Sequence, residues 1–357
     1  MGKPGRYWHS LDHNRLECQL CPRNCQLHDG SRGFCFIRQN IGGTLFLTSY
    51  GRSSGFCIDP IEKKPLYHFL PGSSVLSFGT AGCNLGCKFC QNWEISKARD
   101  MERLADWASP EQIACAAKEH HCASVAFTYN DPVIFIEYAL DVAAACRDLG
   151  LRTVAVTAGY IQGQARTDFF AGMDATNIDL KAFDEHFYHS LTGGQLQPVL
   201  DTLLYVHQQT KVHLEITVLL IPGLNDGEEQ IRQLCRWVAG ELAPNVPLHF
   251  SAFHPDFRLR HYPATPATTL LQARSIAHDA GLQYVYVGNI IHRQATSTYC
   301  PGCRLLLVER EGYAIGSYRL DEQGICPACG VPIHGIWNCE PAKGQGRRLR
   351  LTLPPQP

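Results

Sequence analysis

The chain has 357 residues, 45% of them hydrophobic and 18% charged, which excludes a disordered segment, a collagen-like repeat and a disulfide-stapled miniprotein. Lysine and arginine number 32 against 33 aspartates and glutamates, so the net charge of −1 supplies no global attraction to nucleic acid. No apolar run approaches the roughly 18 residues of a membrane span, and the polar start MGKPGRYWHSLDHNR lacks a signal-peptide core; a soluble cytoplasmic protein with neither membrane nor nucleic-acid partner is expected.

Residues 1–70 are poor in periodicity and rich in Gly, Cys and Pro, with a strand-like TLFLTSYGRS, and read as a metal-supported, Cys-rich N-terminal domain with a thin core. From Val75 short apolar runs alternate with longer amphipathic stretches. The runs VLSFGT, SVAFTY, RTVAVT, ATNIDL, KVHLEITVLL, PLHFSAF and YVYVGN predict strands. Helices are predicted in PEQIACAAKEHH, capped by Ser109, and in PVIFIEYALDVAAACRDLG, closed by Gly150. LQPVLDTLLYVHQQ, GEEQIRQLCRWVAGEL and TPATTLLQARSIAHDAG follow. About six strand-helix units are too few for an eight-unit barrel, which leaves a partial barrel or an open α/β sheet over residues 71–295. Ligands of either collect at the carboxyl ends of the strands, here GTAGCNLGCKFC, TYNDP, TAGY, DLKAF, LIPGLND, AFHP and VGN.

An odd count of 17 cysteines without an export signal fits metal ligation better than disulfides. Cys83, Cys87 and Cys90 follow the first parallel strand in one compact loop, the arrangement that wraps an iron–sulfur cluster with a different iron on each thiolate. The next cysteine, Cys115, lies downstream on a predicted helix, so one iron of a 4Fe-4S cube would stay open, as at a reactive metal centre.

The Cys-x-x-x-Cys-x-x-Cys loop on such a strand resembles the radical S-adenosylmethionine (SAM) superfamily. More narrowly, GCNLGCKFCQNWEISK, TYNDP, MDATNIDLKAF, LEITVLLIPGLND, PLHFSAFHPD and YVYVGN resemble the radical SAM component of the AmmeMemoRadiSam system, relatives of pyruvate formate-lyase activating enzyme. The likeness runs from about Cys18 to Gly330. It implies a 4Fe-4S cluster on Cys83, Cys87 and Cys90 whose open iron is chelated by SAM, with Phe89 near the adenine. Thr128, Tyr129, Asn130 and Asp131 stand where relatives receive the methionine amino group, Asp179 and Lys181 on a DLK motif with Lys181 facing the carboxylate, and His254 at a ribose- or carboxylate-contacting position. Relatives carry Glu and Asn where this chain has Asp131 and Ala158. A salt bridge is the competing reading of Asp179 and Lys181.

The implied activity is reductive cleavage of SAM to methionine and a 5′-deoxyadenosyl radical that abstracts hydrogen, from a glycyl-radical-type protein partner by the nearest analogy. A small molecule, peptide or RNA substrate is the alternative, and an iron–sulfur electron-transfer protein the alternative of another class. A one-electron donor such as flavodoxin or ferredoxin is implied.

Two further cysteine sets flank this region. Cys300, Cys303, Cys326 and Cys329 form two knuckles around strand-like runs, a tetrahedral site for zinc or a single iron in a zinc-ribbon or rubredoxin-like unit over 296–340. Cys18, Cys21, Cys25 and Cys35 form a four-thiolate set suited either to zinc or to a second iron–sulfur cluster. Cys115, Cys122, Cys146 and Cys235 are expected to be small buried hydrophobes, and Cys339 incidental. Residues 341–357, including KGQGRRLRL, read as a flexible solvated tail. The expected whole is an α/β protein: a partial (β/α)6 TIM-like barrel between the two Cys-rich ends.

Overall fold

The computed structural model describes residues 2–99, 104, 106–338, 340 and 348–353. Two small antiparallel sheets come first. β1 (Trp8–Ser10), β2 (Leu16–Cys18) and β3 (Cys25–Leu27) form one, with Cys18 directly opposite Cys25. β4 (Arg38–Ile41) and β5 (Thr44–Leu47) form a hairpin extended by Lys3–Pro4. Strands this short bury little by themselves, so they lean on the main core: Leu16, Leu27, Ile37, Leu45 and Leu47 belong to the same buried cluster as the central helices.

A nine-stranded sheet organises the rest. Its members are β6 (Phe56–Pro60), β7 (Ser74–Phe78), β8 (Ser124–Phe127), β9 (Arg152–Thr157) and β10 (Ala175–Asp179). β11 (His213–Leu220), β12 (Leu248–Ala252) and β13 (Val285–Gly288) complete the parallel part. Beyond them β14 (Leu306–Glu311) and β15 (Ala314–Tyr318) make a separate hairpin, and β16 (Leu349–Leu351) returns to the large sheet. Across the sheet the order is β13-β12-β11-β10-β9-β8-β7-β6-β16, with β7 to β13 parallel and side by side in chain order. β6 and β16 are antiparallel additions at one end.

Parallel neighbours require a crossover, and among the described residues each carries one helix of nine residues or more: α1 (Pro110–Glu119), α2 (Ile136–Asp148), α3 (Gly163–Ala171), α4 (Gln197–Gln209), α5 (Glu228–Trp237) and α6 (Ala267–Asp279). Strands such as β8 are buried throughout, which is why the sequence shows apolar runs rather than alternation. Ser109 caps α1 in a reciprocal box with Gln112, as the local sequence predicts. Helix α3 is absent from the predicted elements. Its buried residues are Ala165 and the adjacent pair Phe169 and Phe170, too few to write a helical stripe.

Several expectations are corrected. Part of the presumed tail is a strand: Leu349–Leu351 pairs with β6, so this stretch is an ordered edge of the sheet, although Leu349 and Arg350 stay exposed. Residues 341–347 and 354–357 of that tail, and Cys339, lie outside the described residues. β6, on the N-terminal side of residue 70, hydrogen-bonds directly to β7, because its all-buried Phe-Cys-Ile-Asp-Pro run needs a sheet partner. Cys115 is exposed on α1, whereas Cys122, Cys146 and Cys235 are buried as expected. Among the described residues no helix is long and apolar enough to cross a membrane.

Candidate active site

The loops that leave the carboxyl ends of β7 to β13 enclose an open cavity of about 250 Å³. Cys83, Cys87 and Cys90 form one side of it, together with Phe89. Their loop is held by groups from elsewhere in the chain: Gly86 N donates to Thr192 O (2.6 Å), Lys88 N to Leu191 O (2.8 Å) and Lys97 Nζ to Leu85 O (2.9 Å). Gly82, at φ +85°, lies so close to Cys35 that a Cβ would run into the Cys35 carbonyl oxygen. Burial pushes the Cys87 thiol up to about 12 against the opposing pull of Lys181, and burial likewise raises Cys83.

Sulfur spacing separates the cysteine sets. Cys300, Cys303, Cys326 and Cys329 bring all four sulfurs within 4.8 Å of one another, with Cys300–Cys329 at 3.4 Å and Cys303–Cys326 at 3.7 Å. That matches the roughly 3.8 Å edge of a tetrahedron of sulfurs about 2.3 Å from one ion. Among the described residues no other His, Cys or carboxylate set converges so far, and Cys83, Cys87 and Cys90 stand further apart. Three thiolates on three irons of a cube suit that wider spacing.

The facing wall is the TYNDP turn. Asn130 and Asp131 line the cavity, yet their polar atoms already work inside the protein. Asn130 Oδ1 accepts from Thr80 N (3.0 Å) and its Nδ2 donates to Gly82 O (2.8 Å), tying the turn to the root of the cysteine loop. A side chain on Gly79 would collide with the Thr128 carbonyl and the Asn130 amide, so close approach of β7 and β8 needs glycine there. Asp131 accepts from Val133 N (3.1 Å), Thr157 Oγ1 (2.9 Å) and Ala158 N (3.0 Å); burial outweighs these donors and raises its carboxyl. Tyr129 sits at φ +70° with its hydroxyl donating to Asp59 Oδ2 (2.8 Å), and Lys64 pairs with the same carboxylate at 2.7 Å.

From β10 come Asp179 and Lys181, ion-paired at 2.7 Å on the cavity wall. Burial disfavours the ammonium, but Asp179 and then Cys87 outweigh it and hold Lys181 above its ordinary value. The salt bridge and the cavity position therefore coexist. Phe89 packs against Phe187 with ring centres 5.6 Å apart. His254 is exposed and lies outside the cavity lining. Its segment closes the rim by other means: Phe257 stacks on Trp93 at 5.5 Å, and Arg258 N donates to Lys88 O (3.1 Å).

Thr217, Ser251 and Asn289 also line the cavity. The Thr217 hydroxyl is buried without a hydrogen-bond partner. Asn289 adopts φ +59° and donates to Ala252 O (3.0 Å). Asn289 falls in the strand-end segment VGN, whereas Thr217 and Ser251 lie within β11 and β12, where no sequence signal marks them.

Comparison with known proteins follows the same lines. The sequence profile of the radical SAM superfamily matches residues 78–235, from the end of β7 into α5. The uncharacterised protein MJ0808 of Methanocaldococcus jannaschii is 38% identical over 92% of this chain and 97% of its own length. The pyruvate formate-lyase-activating enzyme of Clostridium pasteurianum is 23% identical over 50% of this chain and 79% of its own. Among solved structures, Streptococcus suis SuiB bound to its precursor peptide SuiA superposes with a TM-score of 0.50 at 14% identity. That likeness covers 65% of this chain and 52% of SuiB, and it concerns the fold alone. With the three-cysteine loop, the strand-end cavity and this near full-length relationship together, the chain belongs to the radical SAM superfamily of enzymes.

Proposed function

We propose that the cavity binds SAM beside a 4Fe-4S cluster held by Cys83, Cys87 and Cys90, and that the enzyme draws hydrogen from a protein partner. The observation that carries this reading is the spacing of three thiols, too wide for one ion, across a cavity from polar strand ends. The unpartnered Thr217 hydroxyl adds an unmet polar group on the same wall. Bound there, the cluster supplies one electron to the SAM sulfonium, which gives methionine and a 5′-deoxyadenosyl radical.

The chain's own residues bind, orient and exclude water. Lys181, anchored by Asp179, offers a fixed positive charge to the carboxylate of SAM. Asp131 places buried negative charge behind the Thr157–Ala158 turn and favours the cationic end of the ligand. Phe89 gives the adenine an apolar surface, while Thr217, Ser251 and Asn289 offer hydroxyl and amide groups to its sugar. Asn130 acts as a positioning residue that keeps the cysteine loop in register. We read the open sheet as a partial (β/α)6 barrel, with a Cys-rich N-terminal extension and a zinc-ribbon-like end holding one zinc or iron on Cys300, Cys303, Cys326 and Cys329. The electron donor is of the flavodoxin or ferredoxin class. Similarity to activating enzymes supports the choice of a protein substrate.

Anaerobically reconstituted protein, reduced with dithionite and given SAM, should release 5′-deoxyadenosine and methionine. Cys87→Ala should abolish both while metal on the Cys300 set remains. Reversible bleaching with no nucleoside product would mark an electron carrier and sink the proposal.

A further inference from the structure

We infer that Cys18, Cys21, Cys25 and Cys35 hold a second iron–sulfur cluster, with a cysteine on each of its four irons, that carries electrons beside the three-cysteine loop. All four line one small cavity, and none of them is in a disulfide. Their spacing argues against a single ion: the four sulfurs do not converge within 4.8 Å, in contrast to the Cys300 set. Cys18 and Cys25 face each other across β2 and β3, which fixes their backbones a strand spacing apart beside that cavity.

A second observation concerns charge. Arg38 lines the same cavity, is 1% exposed, and its Nε–H has no hydrogen-bond partner. Its other nitrogens are taken: two reach the Glu137 carboxylate at 2.9 and 2.8 Å. A buried donor without an acceptor is costly, and the sulfurs of an anionic cluster are acceptors.

Position supplies the role. Asn84, beside Cys83, lines this cavity too, Gly82 touches the Cys35 carbonyl, and Arg23 between Cys21 and Cys25 donates to Asn84 O and Gly193 O. The two cysteine sets are thus neighbours through a single layer of backbone. Cys25 is partly exposed and borders a surface groove with Arg23, Phe34 and Tyr160, where a donor protein can approach. One electron leaves a low-potential flavodoxin- or ferredoxin-class donor, reduces this cluster, and moves on to the neighbouring loop; no bond is made or broken and no proton is required. With every iron ligated by protein, the cluster has no corner for SAM.

The inference goes beyond the proposed function and stands apart from it, since the test removes the three-cysteine loop. Full-length Cys83→Ala/Cys87→Ala/Cys90→Ala protein, reconstituted anaerobically, should retain about four acid-labile sulfides per chain, against about eight in the unaltered chain. Mononuclear iron on the Cys300 set adds no sulfide and so does not confuse the count. The dithionite-reduced triple variant should show a paramagnetic cluster signal that SAM leaves unchanged, and adding Cys18→Ser and Cys21→Ser should remove signal and sulfide. Loss of all labile sulfide from the triple variant with a second zinc in its place would overturn the inference. So would about four sulfides in the unaltered chain that Cys18→Ser/Cys21→Ser leaves in place.

Discussion

Lys181 carries the sharpest residue-level expectation. A charge-assisted hydrogen bond is worth about 1.5–3 kcal/mol, so Lys181→Met should weaken SAM binding by about 10- to 150-fold while iron and sulfide content stay unchanged. Equilibrium dialysis of the reconstituted variant measures this; an unaltered dissociation constant would remove Lys181 from the site. Asn130 behaves differently, because both ends of its amide hold backbone near the cysteine loop. Asn130→Asp keeps an acceptor but loses the donor to Gly82 O, and should cost about 1–3 kcal/mol of stability with poorer cluster retention. Denaturant titration and iron content check it, and an unaffected variant would make the amide incidental. The cysteines were legible because ligand spacing is written locally. Thr217 and Ser251 were not, since one polar residue inside an apolar strand has no spacing to read. Asn130 and Asp131 were found from the sequence, but their internal hydrogen bonds depend on Thr80, Gly82 and Ala158, which only the fold brings near.

Among elements, the contact between hairpin β4–β5 and helix α2 rests on the buried Arg38–Glu137 pair, 1% and 2% exposed. Removing one partner leaves the other charge unpaired in the interior, so Glu137→Ala should destabilise the fold by about 3–5 kcal/mol. A drop in the urea midpoint checks this, and a change under 1 kcal/mol would show that the guanidinium finds water. All seven parallel strands and five of the six crossover helices could be read from periodicity. Helix α3 could not, because its buried face is a pair of neighbouring phenylalanines and one alanine. β16 was misread for a related reason: the Leu349-Arg350-Leu351 run is too short and basic to signal a strand, and its edge position supplies the pairing. His254 belongs to an interpretable motif, yet its loop presents Phe257 and not the imidazole to its neighbours.

Over the whole molecule, the seam between the sheet and the four-cysteine hairpin is built from buried polar groups. Glu215 accepts from Tyr67 N (3.0 Å), His68 N (2.7 Å), His213 Nε2 (3.0 Å) and His249 Nε2 (2.6 Å). His68 joins the two sides: its Nδ1 donates to His334 O (2.6 Å), so its Nε2 accepts from the Tyr286 hydroxyl (2.6 Å) and the ring is neutral. Burial pushes His68 down to about 3, with Glu215 opposing it. A base depressed in the folded state loses stability as pH falls below its unfolded value of 6.5 and goes on losing it down to about 3. The slope from this one group reaches about 1.4 kcal/mol per pH unit. Urea midpoints between pH 7.5 and 5.5 should therefore fall with acidity, and His68→Gln should flatten that fall; an equal slope in the variant would assign it elsewhere. None of this seam was legible in the sequence, where the histidines lie too far apart to suggest a shared carboxylate.

The central claim concerns an iron left open for a ligand, and electron–nuclear double resonance on the reduced protein addresses it most directly. With SAM isotopically labelled at its amino nitrogen and carboxylate oxygen, the account predicts coupling of both labels to a cluster in the unaltered chain and its loss in Cys87→Ala. Bound SAM with neither label coupled to any cluster would contradict it.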